Sequence, residues 1–144
     1  MRKNLKIWHP ELSIILTEDI GDNCIIHAPV WIGKGVKIGN GCKIEAFAFL
    51  PDGITLEDNV FIGPSVTFCN DKYPPSGGKY WMQTLVKKGT AIGGNSTILP
   101  GVTIGEDVLI GAGSVVTGDI PNRELWFGNP AHFYKKYNKN QKDD

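Results

Sequence analysis

Large apolar side chains recur at every sixth position through two stretches of this chain. They are Ile20, Ile26, Ile32, Ile38, Ile44, Leu50, Leu56, Ile62 and Phe68, then Val86, Ile92, Ile98, Ile104, Ile110 and Val116. Four residues after each of these except Phe68 stands a small or β-branched residue, from Cys24, Val30 and Val36 in the first stretch to Ser114 and Ile120 in the second. A period of six fits neither a helix, at about 3.6, nor an alternating strand, at about 2; it predicts a short strand followed by a tight turn. The turn positions carry Gly35, Gly41, Asn59, Gly89, Asn95, Gly101, Asp107 and Gly113, residue types that tolerate left-handed backbone. Three such units close a triangular coil of eighteen residues with the large side chain on its axis, the pattern of an all-β, parallel β-helix.

Paired strands lie ~4.8 Å apart, so residues eighteen positions apart stack on successive coils. Trp31 then lies under Phe49 and His27 under Glu45. Outward-facing Trp31, Phe49 and Phe61 are expected to form an apolar patch of the kind that marks an interface. The period fails between Thr67 and Thr84, in TFCNDKYPPSGGKYWMQT, where Pro74 and Tyr80 occupy axial positions. This stretch is read as a loop, about 69–85, thrown outward from a single domain covering 1–144. The repeat ends at Asp119-Ile120-Pro121, and the segment HFYKKYNKN in the cap, about 122–144, is expected to form a short helix over the open core.

Composition narrows the classes. Lys plus Arg equals Asp plus Glu at 15 each, which argues against nucleic acid or a membrane surface as partner. The start MRKNLKIWHPELSIIL has its apolar stretches broken by His9, Pro10, Glu11 and Ser13, unlike a signal peptide, and no run approaches a membrane span; a soluble, cytoplasmic chain is expected. Cys24, Cys42 and Cys69 contain no CxxC pair, and the first two fall at packing positions, which fits a reducing compartment. His9, His27 and His132 are too scattered for a zinc site, so no metal is expected. An ice-binding surface would need a regular outward threonine array, whereas the outward positions here vary among Lys, Thr, Phe and Trp.

The repeat, the run IGGNSTILPGVTIGEDVLIGAGSVVTGDIP and FGNPA at Phe127–Ala131 resemble the hexapeptide-repeat acyltransferases, over roughly Ile20 to Tyr137. The resemblance implies a left-handed β-helix, an exception to right-handed crossovers. It also implies a homotrimer with sites between subunits and acetyl-coenzyme A as co-substrate. The loop sequence Asn70-Asp71-Lys72-Tyr73-Pro74 is similar to the subgroup that acetylates amino groups on nucleotide-linked sugars (dTDP or UDP), where it lies near the sugar; Trp81 joins Lys72 and Tyr73 as an acceptor-side candidate. Relatives often continue Tyr-Pro-Arg, and here Pro75 stands in the arginine's place. A 3- or 4-amino deoxysugar destined for a surface polysaccharide is the implied acceptor, with O-acetylation of a sugar or small alcohol, and a non-catalytic trimeric assembly role, as alternatives.

Acetyl transfer to an amine needs a neutral amine, a donor for the developing oxyanion and a destination for the proton. Asn70 offers both donor and acceptor groups to orient the amine. Asp71, ordinarily near ~3.9, is too acidic to deprotonate a resting ammonium, yet it can take the proton once attack has made it acidic. The alternative is a role for both residues limited to capping the turn. The rival base is His27, near ~6.5, oriented by Glu45 one coil above. The resemblance implies that backbone N–H groups at Gly94 and Ala112, themselves eighteen apart, contact the pantetheine arm or the oxyanion, although plain turn geometry also accounts for them. It further makes Lys135 and Lys136 candidates for the 3′-phosphate of coenzyme A.

Overall fold

A computed structural model describes residues 2–141. The chain winds as a left-handed parallel β-helix of about 7 turns. Face A carries Lys6–Ile7, Ile25–Ile26, Lys43–Ile44, Phe61–Ile62, Ala91–Ile92 and Leu109–Ile110, and ends in Glu124–Gly128 and Ala131–Lys136. Face B carries Ile14–Ile15, Trp31–Ile32, Phe49–Leu50, Thr67–Phe68, Thr97–Ile98 and Val115–Val116. Face C carries Lys37–Ile38, Ile54–Leu56, Thr84–Val86 and Thr103–Ile104. Among the described residues the helical content is one 3₁₀ turn, Pro10–Leu12, and no helix is long and apolar enough to cross a membrane.

The sixfold period does what its spacing requires. Each two-residue strand turns one side chain out and the next onto the axis, so Ile26, Ile32, Ile44, Leu50, Ile62, Phe68, Ile92, Ile98, Ile104 and Ile110 are fully buried in one continuous core. The smaller residues four positions on are buried at the corners; Cys24 and Cys42 are among them, their thiols donating to the carbonyls of Gly39 and Glu57 at 3.1 Å each.

Strand partners fix the register. Trp31 pairs with Phe49 and Lys43 with Phe61, eighteen apart, but Phe61 pairs with Ala91 and Thr67 with Thr97, thirty apart. The interruption therefore inserts twelve residues at the corner between faces B and C, and parallel pairing of the three faces continues across it, as expected for a loop.

Two expectations are corrected. Phe61 does not join Trp31 and Phe49: it lies on face A between Lys43 and Ala91, because twelve residues, two units of the repeat, carry the chain to a different face. The C-terminal segment is not a helix. Gly128, at φ 109°, and the cis Asn129–Pro130 bond reverse the chain, and Ala131–Lys136 pairs antiparallel with Glu124–Gly128. That pairing covers the last edge of face A, whose backbone groups would otherwise lack partners.

Phe68 is the largest fully buried side chain and closes the axis where the loop departs. Phe68→Ala is expected to cost about 3–5 kcal/mol of unfolding free energy, measured by urea denaturation; a loss below about 1 kcal/mol would mean that the axis is not packed there.

Candidate active site

The loop is built by its own hydrogen bonds. Asn70 sits on the column of residues eighteen apart, Lys34–Asp52–Asn70, and its Nδ2 donates to the Asp52 carbonyl at 2.9 Å, which fixes the amide and leaves Oδ1 as an acceptor. The Asn70 carbonyl accepts from the Met82 N–H at 2.8 Å, Asp71 bridges Trp81 in antiparallel fashion, and the Lys72 N–H reaches the Tyr80 carbonyl at 3.2 Å. The arm closes through the cis Pro74–Pro75 bond and through Gly77 and Gly78, at φ 68° and 101°. Tyr73 meets Tyr80 edge-on at 5.2 Å, while the Lys72 and Lys79 ammonium groups lie over these two rings at 5.4 and 5.2 Å.

Asp71 is the hub of this arm. Its Oδ1 accepts from the Tyr73 N–H at 3.2 Å and its Oδ2 from the Ser76 N–H at 2.7 Å. Partial desolvation pulls its pKa up, but hydrogen bonds from the Ser76 N–H and hydroxyl, the Tyr73 N–H and the Trp81 side chain outweigh it and hold the carboxyl below its ordinary value. The group is an anion that shapes the loop.

Beneath the arm, a groove of about 400 Å³ opens on face B. Trp31 and Phe49, stacked at 6.3 Å with planes 30° apart, form one wall, Trp81 another, and Lys34, Asp52 and Asn70 are the polar part of the remaining lining.

The other candidates stand on a different edge, between faces A and B. His27 Nε2 lies 3.5 Å from Glu45 Oε2, and Lys43 Nζ lies 3.6 Å from Glu45 Oε1. Further along that edge, the amides of Gly94 and Ala112 donate to no acceptor among the described residues. Corner glycines expose them: a Cβ on Gly63 would meet Gly94 N at 2.7 Å, and one on Gly93 would meet Ala112 N at 2.6 Å. The edge between faces C and A is the opposite case, for there the amides of Asp22, Asn40 and Glu106 are taken by the side chains of Asn40, Asp58 and Asn122, each at 2.8 Å. One edge of the prism thus offers unused N–H groups in register, as an extended carbonyl-bearing chain or an oxyanion requires.

A single chain therefore brings Asn70 and Trp81 together, with Asp71 behind them and Lys72 and Tyr73 on the outer side of the arm, but it leaves His27, Glu45, Gly94 and Ala112 on a separate edge. Lys136 is engaged: its Nζ donates to Glu124 Oε2 at 2.9 Å, and Trp126 Nε1 donates to Glu124 Oε1 at 2.9 Å. The Lys136 hydrogen bond, then that from Trp126, hold the Glu124 carboxyl below its ordinary range, so the lysine braces the terminal hairpin. Lys135 and Lys136 both line a cavity of about 470 Å³ with Ala91, Leu109 and Leu125. The sequence reading missed Lys34 and Asp52 as site residues, although their spacing of eighteen below Asn70 was the available signal.

Two family models match the chain. That for bacterial transferase hexapeptide (six repeats) covers residues 35–70 and 84–118, breaking at the loop, and that for the hexapeptide repeat of succinyl-transferase covers 19–46. A galactoside O-acetyltransferase of Lactococcus lactis is 34% identical over 139 residues, 89% of this chain and 67% of that protein. A dTDP-3-amino-3,6-dideoxy-alpha-D-galactopyranose 3-N-acetyltransferase of Aneurinibacillus thermoaerophilus is 59% identical over 49 residues, 34% of this chain and 26% of that protein. Among solved structures, an N-acyltransferase of Bacillus cereus in complex with dTDP-4-amino-4,6-dideoxyglucose and coenzyme A superposes with a TM-score of 0.65 at 28% identity, covering 96% of this chain and 80% of that one. The chain spans 67% and 59% of the first two curated relatives it matches. With its hexapeptide coils, its in-register amides and its inserted loop, the chain belongs to the hexapeptide-repeat acetyltransferases.

Proposed function

We propose that this protein moves acetyl from acetyl-coenzyme A to the amino group of a nucleotide-linked deoxy amino sugar, a 3- or 4-amino hexose used for surface polysaccharide. The observation that carries this reading is the Asn70–Asp71 arm, with Asn70 Oδ1 left as an acceptor at the mouth of the groove. The named activities of the Aneurinibacillus and Bacillus relatives support it. The working form is a cytoplasmic homotrimer. In it, exposed Leu12, Ile14 and Phe47 form the contact between subunits, and the loop of one chain meets the Gly94–Ala112 edge of the next.

In this reading Asn70 Oδ1 accepts a hydrogen bond from the neutral amine and points its lone pair at the thioester carbon. The C–N bond forms as the carbonyl oxygen becomes an oxyanion, held by the Gly94 or Ala112 amide. Collapse breaks the C–S bond, and the proton from nitrogen ends on the departing thiolate, by way of Asp71 or directly. The arrangement supplies position and an oxyanion donor; a strong base is not essential, because nitrogen becomes acidic only after attack.

O-acetylation is the second reading. An alcohol needs a base from the start, the His27–Glu45 pair has the geometry for one, and the Lactococcus relative is named for a galactoside acceptor.

Thiol release from acetyl-coenzyme A, followed with dTDP- and UDP-linked 3- and 4-amino sugars beside their hydroxyl counterparts, separates the readings. Release with amino acceptors is expected; release with hydroxyl acceptors alone contradicts the proposal, and none with any acceptor favours a non-catalytic assembly role. Asp71→Asn is expected to lower kcat/KM on the order of 10²-fold, far more than His27→Ala; the reverse ranking moves the chemistry to the His27 corner. Because the folded pKa of Asp71 lies below the unfolded ~3.9, its hold on the loop is complete above about pH 4 and is lost as pH falls through the lowered value. Hydrogen exchange at the Ser76 and Tyr73 amides should quicken, relative to base-catalysed expectation, only below that range; loosening near neutrality would contradict the role of Asp71 as hub.

A further inference from the structure

We propose that the groove between face B and the loop holds the nucleoside diphosphate of the acceptor, its base between the aromatic walls and its phosphates at Lys34. The inference rests on the acceptor assignment above and deepens it.

The walls come from independent elements. Trp31 and Phe49 lie on successive coils of face B and are 40% and 39% exposed; Trp81, 50% exposed, comes from the inserted arm. Three large rings on two sides of a groove of about 400 Å³ form a slot for a planar group, and a lone chain seldom leaves such ring surface bare. Aromatic faces accept any nucleobase by stacking.

The floor supplies the charge. Lys34 lines the groove with no ion pair among the described residues, while Asp52 has Oδ1 tied to the Gly35 N–H at 3.2 Å. Lys34 stands two coils below Asn70, roughly 10 Å away at the spacing of paired strands. This is the scale of the diphosphate that joins a hexose to a nucleoside, so an amine at Asn70 places phosphate oxygens beside the ammonium. Coenzyme A also carries a base and phosphates, but in the proposed trimer its thioester meets the loop from the neighbouring chain's Gly94–Ala112 edge, in the C-terminal coils, whereas Trp31, Lys34 and Phe49 lie in the N-terminal coils on the other side of the loop.

Titration calorimetry with dTDP, UDP and coenzyme A as probes, on the whole chain and on Trp81→Ala, Trp81→Phe and Lys34→Gln, tests this, with sedimentation to follow assembly. The expected result is binding of a nucleoside diphosphate that weakens about tenfold in Trp81→Ala, recovers in Trp81→Phe and loses salt dependence in Lys34→Gln, with coenzyme A binding unchanged. All substituted side chains are at the surface, and an unchanged thermal transition checks the fold. Absence of nucleoside diphosphate binding to the unaltered chain, equal binding by Trp81→Ala, or loss of coenzyme A binding instead would each overturn the proposal. So would dissociation of the assembly with nucleotide binding intact, which would make the groove a subunit contact. The two levels fail separately: nucleotide binding that depends on Trp81 without acetyl transfer overturns the reaction and leaves the groove, whereas transfer whose KM for the sugar nucleotide ignores Trp81→Ala overturns the groove and leaves the reaction.

Discussion

Everything in this molecule depends on coils that stack in register, eighteen residues to the turn, joined by main-chain hydrogen bonds. Strands of two residues carry too few bonds to be stable alone; the same pairing repeated on three faces, around an axis filled by Ile, Leu, Val and Phe, makes them a rigid rod. Stacking also converts sequence spacing into position. A residue type placed at one point of the coil recurs along an edge, so a column of side chains or amides becomes a surface feature.

The edges show how this yields function. Between faces C and A, Asn and Asp side chains accept the corner amides of the coil below and close that edge off. Between faces A and B the same positions are Pro64, Gly94 and Ala112, flanked by Gly63 and Gly93, and the amides of Gly94 and Ala112 stay unused. At the third edge, twelve inserted residues fold on Asp71 into an arm that roofs a groove, while Phe68, buried at the base of the arm, holds the axis closed.

How far the sequence could be read follows from this division. The axial residues, the corner cysteines, the Trp31–Phe49 and His27–Glu45 stacks and the loop were legible, because each depends only on a fixed period. Phe61 was misassigned by counting it as outward without asking onto which face. The terminal segment was misread because HFYKKYNKN has no strand period of its own; the edge of Glu124–Gly128 decides its conformation. The turn preference of Asp71 left its loop-shaping role open as an alternative, but the role of Lys136 was hidden, and the partners of both, Ser76 and Glu124, are set by turns that spacing does not specify.

In the proposed reaction the inserted arm, not the histidine corner, addresses the acceptor. A crystal structure with coenzyme A and a nucleotide-linked amino sugar measures this most directly. The amine nitrogen is expected within about 2.6–3.2 Å of an Asn70 or Asp71 oxygen. An amine beside His27, with the arm touching neither sugar nor nucleotide, would contradict it.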